Sequence, residues 1–211
     1  MTDNTDHSLL ISDLHLCDAR PELTAAFEQF CSEYASDASA LYILGDLSDA
    51  WVGDDDDSDT ACRIKQALSS LSAKGVSIFL MTGNRDFLMG QQLAEACNAK
   101  MLTDPGVISL HGHNALLLHG DSLCIDDAEY MAFRAQIQNP TAQQMLMSKP
   151  LEERRQIAAM LRSKSKSANS NKAEDIMDVN ADEVTRQLLA SKINLMIHGH
   201  THRPAVHALE L

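Results

Sequence analysis

Apolar residues fall in short runs along the chain: "SLLIS" (8–12), "ALYIL" (40–44), "VSIFLM" (76–81), "GVISL" (106–110), "NALLL" (114–118) and "INLMI" (193–197). Runs of this length, bounded by polar and turn residues, predict buried strands. Between the first three lie segments 21–36 and 60–73, which read as helices. Strands alternating with helices predict an α/β fold. "SLHGHNALL" reads instead as a tight hairpin, so the sheet system is expected to be mixed. From 123 to 180 no strand pattern is evident, and "PLEERRQIAAMLRSKSK" places Ile157, Met160 and Leu161 at helical spacing with charges opposite. The expected organisation is a core over 1–122, a mostly helical insertion over 123–180, and a return to the core over 181–211.

Composition narrows the class. The 211 residues are 45% hydrophobic but only 4% aromatic, which shifts the core toward aliphatic packing. No apolar run approaches the roughly 20 residues that span a bilayer, and the start, "MTDNTDHSLLISDLH", lacks the features of a signal peptide. Cysteines 17, 31, 62, 97 and 124 are scattered with no C-x-x-C pair. That argues against a disulfide framework or a thiolate zinc site and fits free thiols in a reducing cytoplasm.

Thirty acidic residues against 17 basic ones give a net charge of −13, which disfavours nonspecific nucleic-acid binding. The basic residues are unevenly spread, however. Lys149, Arg154, Arg155, Arg162, Lys164, Lys166 and Lys172 stand within 149–172 beside only Glu152 and Glu153. Within that segment, "SKSKSANSNK" reads either as a solvated linker or as a clamp on an anionic substrate.

The candidate chemistry lies where the strands end. Asp13 and His15 follow the first run, Gly45-Asp46 the second, Gly83-Asn84-Arg85-Asp86 the third, His119-Gly120-Asp121 the fifth, and His198-Gly199-His200 the last. In open α/β sheets, ligands bind in the crevice at strand ends. One such dipeptide means little, but five strand exits furnished with Asp, His or Asn form a pattern that core packing does not produce. The donors are oxygen and nitrogen without sulfur, which suits Mn, Fe or Zn rather than Ca. Asp13, His15, Asp46, Asn84, His119, His198 and His200 are too many for one ion and suit two ions sharing a carboxylate, the arrangement that clamps a phosphoryl group in displacement.

"DLH", "GD", "GNRD", "HGD" and "GHTH", in this order, resemble the five motifs of the calcineurin-like metallophosphoesterases. The resemblance implies two packed mixed sheets flanked by helices. It is closer still to the branch acting on UDP-2,3-diacylglucosamine in lipid A synthesis, through "ISDLHLC", "ALYILGDL", "AWVGDD", "GNRDFLMG", "HGDSLCIDDAEYMAFRA", "SANSNKAEDIMDVN" and "IHGHTHRPAVH". It implies two Mn2+ ions, one held by Asp13, His15, Asp46 and His200, the other by Asp46, Asn84, His119 and His198.

The same resemblance implies the chemistry: hydrolysis of the pyrophosphate bond, releasing UMP and 2,3-diacylglucosamine 1-phosphate. Asp46, Asn84, Arg85 and His119 are then the expected catalytic residues. Arg85 stands where most of the family has His, which moves it from general acid to phosphate grip, since a guanidinium keeps its proton. Asn84, Arg85, Asp127, Ser165, Asn169, Lys172 and His198 are the expected substrate contacts, which turns "SKSKSANSNK" from linker to clamp. The implied setting is peripheral, on the cytoplasmic face of the inner membrane, with an amphipathic UDP-linked lipid as partner and no nucleic acid or protein partner. Family members continue past the last histidine, so their final strands are expected to be missing from a chain ending at Leu211.

Several residues stay outside the expected site. His111 and His113 belong to the hairpin turn, His202 to a supporting role, and "GDDDD" (53–57) to a solvated acidic loop. Trp51 either packs beneath the site or meets lipid, and Ser48 stands where a larger apolar residue is expected. Two alternatives share the same residues: a general phosphodiesterase or nucleotide phosphatase, and a metal-binding scaffold without turnover.

Overall fold

The structure is a computed structural model that describes residues 7–169 and 178–209. The chain divides into two compact units, 1–103 and 104–211. In the first, β1 (Ser8–Ile11), β2 (Ala40–Leu44), β3 (Ser77–Met81) and β4 (Ala99–Met101) form a parallel sheet in sequence order. The three long apolar runs therefore became adjacent strands. β4 and the short α3 (Gln91–Ala96) before it carry too few residues to show a period, and the sequence pattern missed both.

Residues in register explain the core. Leu9, Leu41, Ile78 and Ala99 form one row across the sheet, and Ile11, Ile43, Leu80 and Met101 the next. All eight belong to or pack against one apolar cluster, as alternate residues on one sheet face must. α2 (Asp59–Ala73) brings Ile64, Leu68 and Leu71 to that cluster at helical spacing. Its first turn is capped by Ser58 Oγ, which accepts from Ala61 N at 3.3 Å, and by Asp18, which accepts from Thr60 N at 2.9 Å. α1 (Pro21–Gln29) opens on a proline suited to a first helical turn. It runs into a π-helical turn, Phe30–Tyr34, so the expected helix over 21–36 ends by widening.

The acidic loop is built into the fold rather than solvated throughout. Asp54 accepts hydrogen bonds from Gly90 N (3.0 Å) and Leu93 N (2.9 Å), so it caps α3 from far along the chain. It also accepts from Trp51 Nε1 at 2.9 Å, and Trp51 is buried in the core, which decides between the two readings of that residue. Lys65 Nζ donates to the carbonyls of Asp54 and Asp56 at 2.7 and 2.8 Å, placing a tethered ammonium against the acidic run. Asp55 and Asp57 remain exposed, as expected of that loop.

In the second unit, β5 (Gly106–Leu110) and β6 (His113–Leu118) form the expected hairpin, and β7 (Met196–His198) pairs parallel to β6. Mixed pairing is thus confined to this sheet. Helices α4 (Ala128–Ile137), α5 (Pro140–Met147) and α6 (Leu151–Asn169) lie within the 123–180 stretch, as its lack of a strand pattern predicts, and α7 (Ala181–Ser191) follows. Among the described side chains of α6 Arg154 is buried, whereas Ile157 and Leu161 of the apolar stripe are only part-buried and Met160 is exposed; Arg154 Nε donates to the Lys149 carbonyl at 3.1 Å. A long aliphatic stem lets arginine take such a position. No helix among the described residues is long and apolar enough to cross a membrane.

Burial pushes the thiols of Cys31 and Cys124 up to about 12 and that of Cys97 to about 11, whereas Cys62 is exposed. Thiolate is the reactive form. A thiol reagent at pH 8 should therefore label Cys62 in the native protein and reach the three buried cysteines only after denaturation. Rapid native labelling of Cys97 would contradict this packing.

Candidate functional site

Parallel pairing carries the ends of β1, β2 and β3 to one edge of the first sheet, so Asp13, His15, Asp46, Asn84 and Arg85 emerge together. The backbone there is cross-stitched. Asp13 N donates to the Gly45 carbonyl at 3.1 Å, His15 N to the Asp46 carbonyl at 2.9 Å, and Leu16 N to the Leu47 carbonyl at 3.0 Å. Asp13, His15 and Asp46 all have left-handed backbones, with φ of 59°, 49° and 52°. For residues other than glycine each such conformation costs on the order of 1–3 kcal/mol and concentrates where function needs it.

The side chains converge as the backbone does. The Asp13 carboxylate comes within 4.8 Å of a His15 ring nitrogen and of the Asp46 carboxylate. His15 Nδ1 stands 3.8 Å from Asp46 Oδ2 and also 3.8 Å from Asp49 Oδ1. Asp46 and Asn84 are buried, and Asp46 Oδ1 accepts from Arg85 N at 2.8 Å. Clustered carboxylate oxygens and an imidazole nitrogen, with no sulfur, fit a divalent transition ion. Asp49 and Asp86 were not among the expected site residues. Asp86 is fully buried, and its carboxylate accepts from Gly83 N (2.6 Å), Leu47 N (2.8 Å) and Asp46 N (3.2 Å). It ties the loop after β2 to the loop after β3.

The second unit repeats the strategy. Leu118 pairs with His198 across parallel strands, which puts His119 and the His198–His200 segment at one sheet edge. Gly199 N donates to the His119 carbonyl at 2.8 Å. The rings of His119 and His200 meet edge-on with centroids 5.1 Å apart. His200 and His202 have φ of 72° and 55°, and His202 is exposed. The exposed positions of His111 and His113 match their expected place in the turn.

Gly120 lets these strands come this close. Its φ is +118°, and a Cβ there would lie 2.8 Å from the Gly199 carbonyl oxygen and 3.1 Å from His198 Nδ1. Replacing Gly120 with alanine should displace the 198–200 segment, since the nearer atom is backbone and the φ strains any side chain. We expect a loss of turnover of at least about tenfold, in line with a small misplacement of reacting groups, together with a lowered melting temperature. Parent-like turnover in Gly120→Ala would show that this close approach is dispensable.

Behind the histidines lies an ionic network centred on the buried Asp121. Asp121 accepts from Tyr130 Oη at 2.8 Å and from Arg134 Nε at 2.9 Å, and Arg134 also reaches Asp104 at 3.6 Å. Burial acts to raise the Asp121 pKa, but His119, Arg134, the Tyr130 hydroxyl and His200 together outweigh it and hold it below the usual carboxylate range. Asp104 has the opposite balance: burial and the Asp121 charge push it up to about 6.

The remaining expected residues are spread over the second unit. Asp127 is buried and caps α4, its carboxylate accepting from Tyr130 N at 3.0 Å. Ser165 is half-buried on α6, and Asn169 ends that helix. Lys172 lies outside the described residues. The rest of the clamp segment past Asn169 does so as well, so only its helical beginning is seen.

A family model described as calcineurin-like phosphoesterase matches residues 7–204. A relative from Cellvibrio japonicus, named UDP-2,3-diacylglucosamine hydrolase, is 50% identical over 203 residues, covering 96% of this chain and 85% of its own length. Relatives of the same name from Marinobacter nauticus and Salmonella arizonae are each 48% identical, covering 96% of this chain and 83% and 84% of theirs. Matches of that length take in every motif whose geometry is described above, and they place this chain in the calcineurin-like phosphoesterase family.

Proposed function

We propose that this chain hydrolyses the pyrophosphate bond of UDP-2,3-diacylglucosamine, giving UMP and 2,3-diacylglucosamine 1-phosphate for lipid A synthesis. The observation that carries the reading is the extent of similarity to relatives named UDP-2,3-diacylglucosamine hydrolase. It covers 96% of the chain, so it takes in the helical insertion as well as the strand-end motifs. Asp13, His15, Asp46 and Asn84 in the first unit, and His119, His198 and His200 in the second, would hold two Mn2+ ions. Bound ions of this kind neutralise phosphate charge and make water a stronger acid.

The chain's own residues would do the rest. Water oxygen bonds to one phosphorus of the pyrophosphate as the bridging P–O bond breaks; the departing phosphate keeps the bond's electron pair, and the proton given up by water passes to solvent. Arg85, whose guanidinium remains charged, would hold phosphate oxygens through paired donors. Its backbone is pinned by Asp46, which supports a fixed approach. Asn84 and His198 would contact the same phosphate. Asp127, Ser165, Asn169 and Lys172 would bind the sugar and phosphate portion. The basic residues of the insertion would favour the anionic cytoplasmic surface of the inner membrane, as lysine and arginine clusters do.

The test is to strip the protein of metal, restore Mn2+, and follow UMP release from UDP-2,3-diacylglucosamine beside a generic aryl phosphodiester. Mn2+-dependent UMP release with little action on the generic ester is the expected result. Hydrolysis of the generic ester alone would reject the lipid substrate and leave a phosphodiesterase.

A further inference from the structure

A ligating imidazole must point one ring nitrogen at its ion, and something has to set that rotation. For His200 the strand-end motif supplies only part of the constraint. Its backbone is left-handed and its ring meets His119 edge-on. A second ring completes the arrangement: that of Tyr130, centred 5.7 Å away and tilted by 34°. Tyr130 lies in α4, in the insertion, and belongs to none of the five motifs. Its hydroxyl donates to Asp121, and Arg134, four residues on and so on the same helix face, donates to the same carboxylate oxygen. Asp121 is 1% exposed, so its bonds to these two partners do not compete with bulk water.

We infer that Tyr130 is a positioning residue for His200: anchored through Asp121 and Arg134, its ring sets the rotation of the His200 imidazole toward a divalent cation. The insertion thereby supports a metal-binding residue in addition to supplying the substrate contacts proposed above. The inference rests on the reading of His200 as a metal ligand. It predicts an effect on metal affinity itself, which a role in substrate contact or in folding alone would not produce.

The experiment titrates metal-free protein with Mn2+ by calorimetry, for the parent chain, Tyr130→Leu and Tyr130→Phe, with melting curves and a kcat and KM measurement on each. Tyr130→Met, which also lacks the ring, takes the place of Tyr130→Leu should the latter fail to fold. The ring-less variant should bind Mn2+ about 10- to 100-fold more weakly, the usual effect of losing a support to a metal ligand. Tyr130→Phe, which keeps the ring but loses the hydroxyl that anchors it to Asp121, should bind more weakly than the parent and more tightly than the ring-less variant. The kcat of the ring-less variant should recover at saturating Mn2+, whereas a substrate contact would show in KM at every metal concentration. A folded ring-less variant with parent-like Mn2+ affinity would overturn the inference while leaving the metal reading intact. A parent chain that binds no Mn2+ would overturn both.

Discussion

Asp46→Asn should lower UMP release by a factor on the order of a thousand or more while leaving the melting temperature nearly unchanged. Charge stabilisation at a two-ion phosphoryl site is worth several kcal/mol, and each 1.4 kcal/mol is about tenfold in rate. Asp46 is the proposed ligand shared by both ions, so both sets lose a donor. The change is otherwise mild. Asn retains an oxygen that can accept from Arg85 N as Oδ1 does at 2.8 Å, and the volume is unchanged. What changes is the atom near His15 Nδ1: an amide N–H2 replaces the carboxylate oxygen found there at 3.8 Å, and it cannot ligate a cation. Mn2+ titration and initial rates on the same preparation separate the effects. Turnover within tenfold of the parent would remove Asp46 from the shared position.

Asp86→Ala should act through the fold first. The deleted carboxylate leaves Asp46 N, Leu47 N and Gly83 N, all on buried residues, without that acceptor. Stranding a buried donor costs about 1–3 kcal/mol, so three amount to roughly 3–5 kcal/mol after partial relaxation. In a chain of this size that lowers the melting temperature by about 10 °C. Activity should fall below what the surviving folded fraction explains, because Asp46 and Asn84 sit on the two loops that Asp86 joins. Asp86→Asn retains one acceptor oxygen and should lie between. A melting temperature within 2–3 °C of the parent for Asp86→Ala, roughly the effect of one kcal/mol at this chain length, would mean that those N–H groups find other acceptors.

Asp86 also shows where sequence reading stops. It stands in "GNRD", beside two residues singled out for chemistry, yet its partners lie 39 and 40 positions upstream as well as three positions away. Asp54 is similar: it looked like one more carboxylate in an acidic run, and it caps a helix 36 to 39 positions downstream. Local rules for caps consider nearby residues, and neither contact is near. Tyr130 and Arg134 carried a usable signal, since a spacing of four on a helix shares a face, but their common partner Asp121 sits before the helix begins.

What the sequence determined by itself was most of the strands and which donor residues stand at their ends. Apolar runs of four to six residues in β1, β2, β3, β5 and β6 favour pairing in a sheet, although β5 leaves Val107 exposed. Oxygen and nitrogen donors at successive exits have few uses other than metal binding. The end of the last run was less legible, because "INLMI" pairs only from Met196 and its earlier residues lead into the strand. The tertiary structure alone decided which strands became parallel neighbours, and so which donors share an edge. It decided as well the left-handed backbones of Asp13, His15, Asp46 and His200, and the partners of two buried carboxylates, Asp86 on the loops after β2 and β3 and Asp121 on Tyr130 and Arg134. The physical reason is range: burial and helical period are written in neighbouring residues, whereas a strained loop persists only when bonds from distant segments hold it in place.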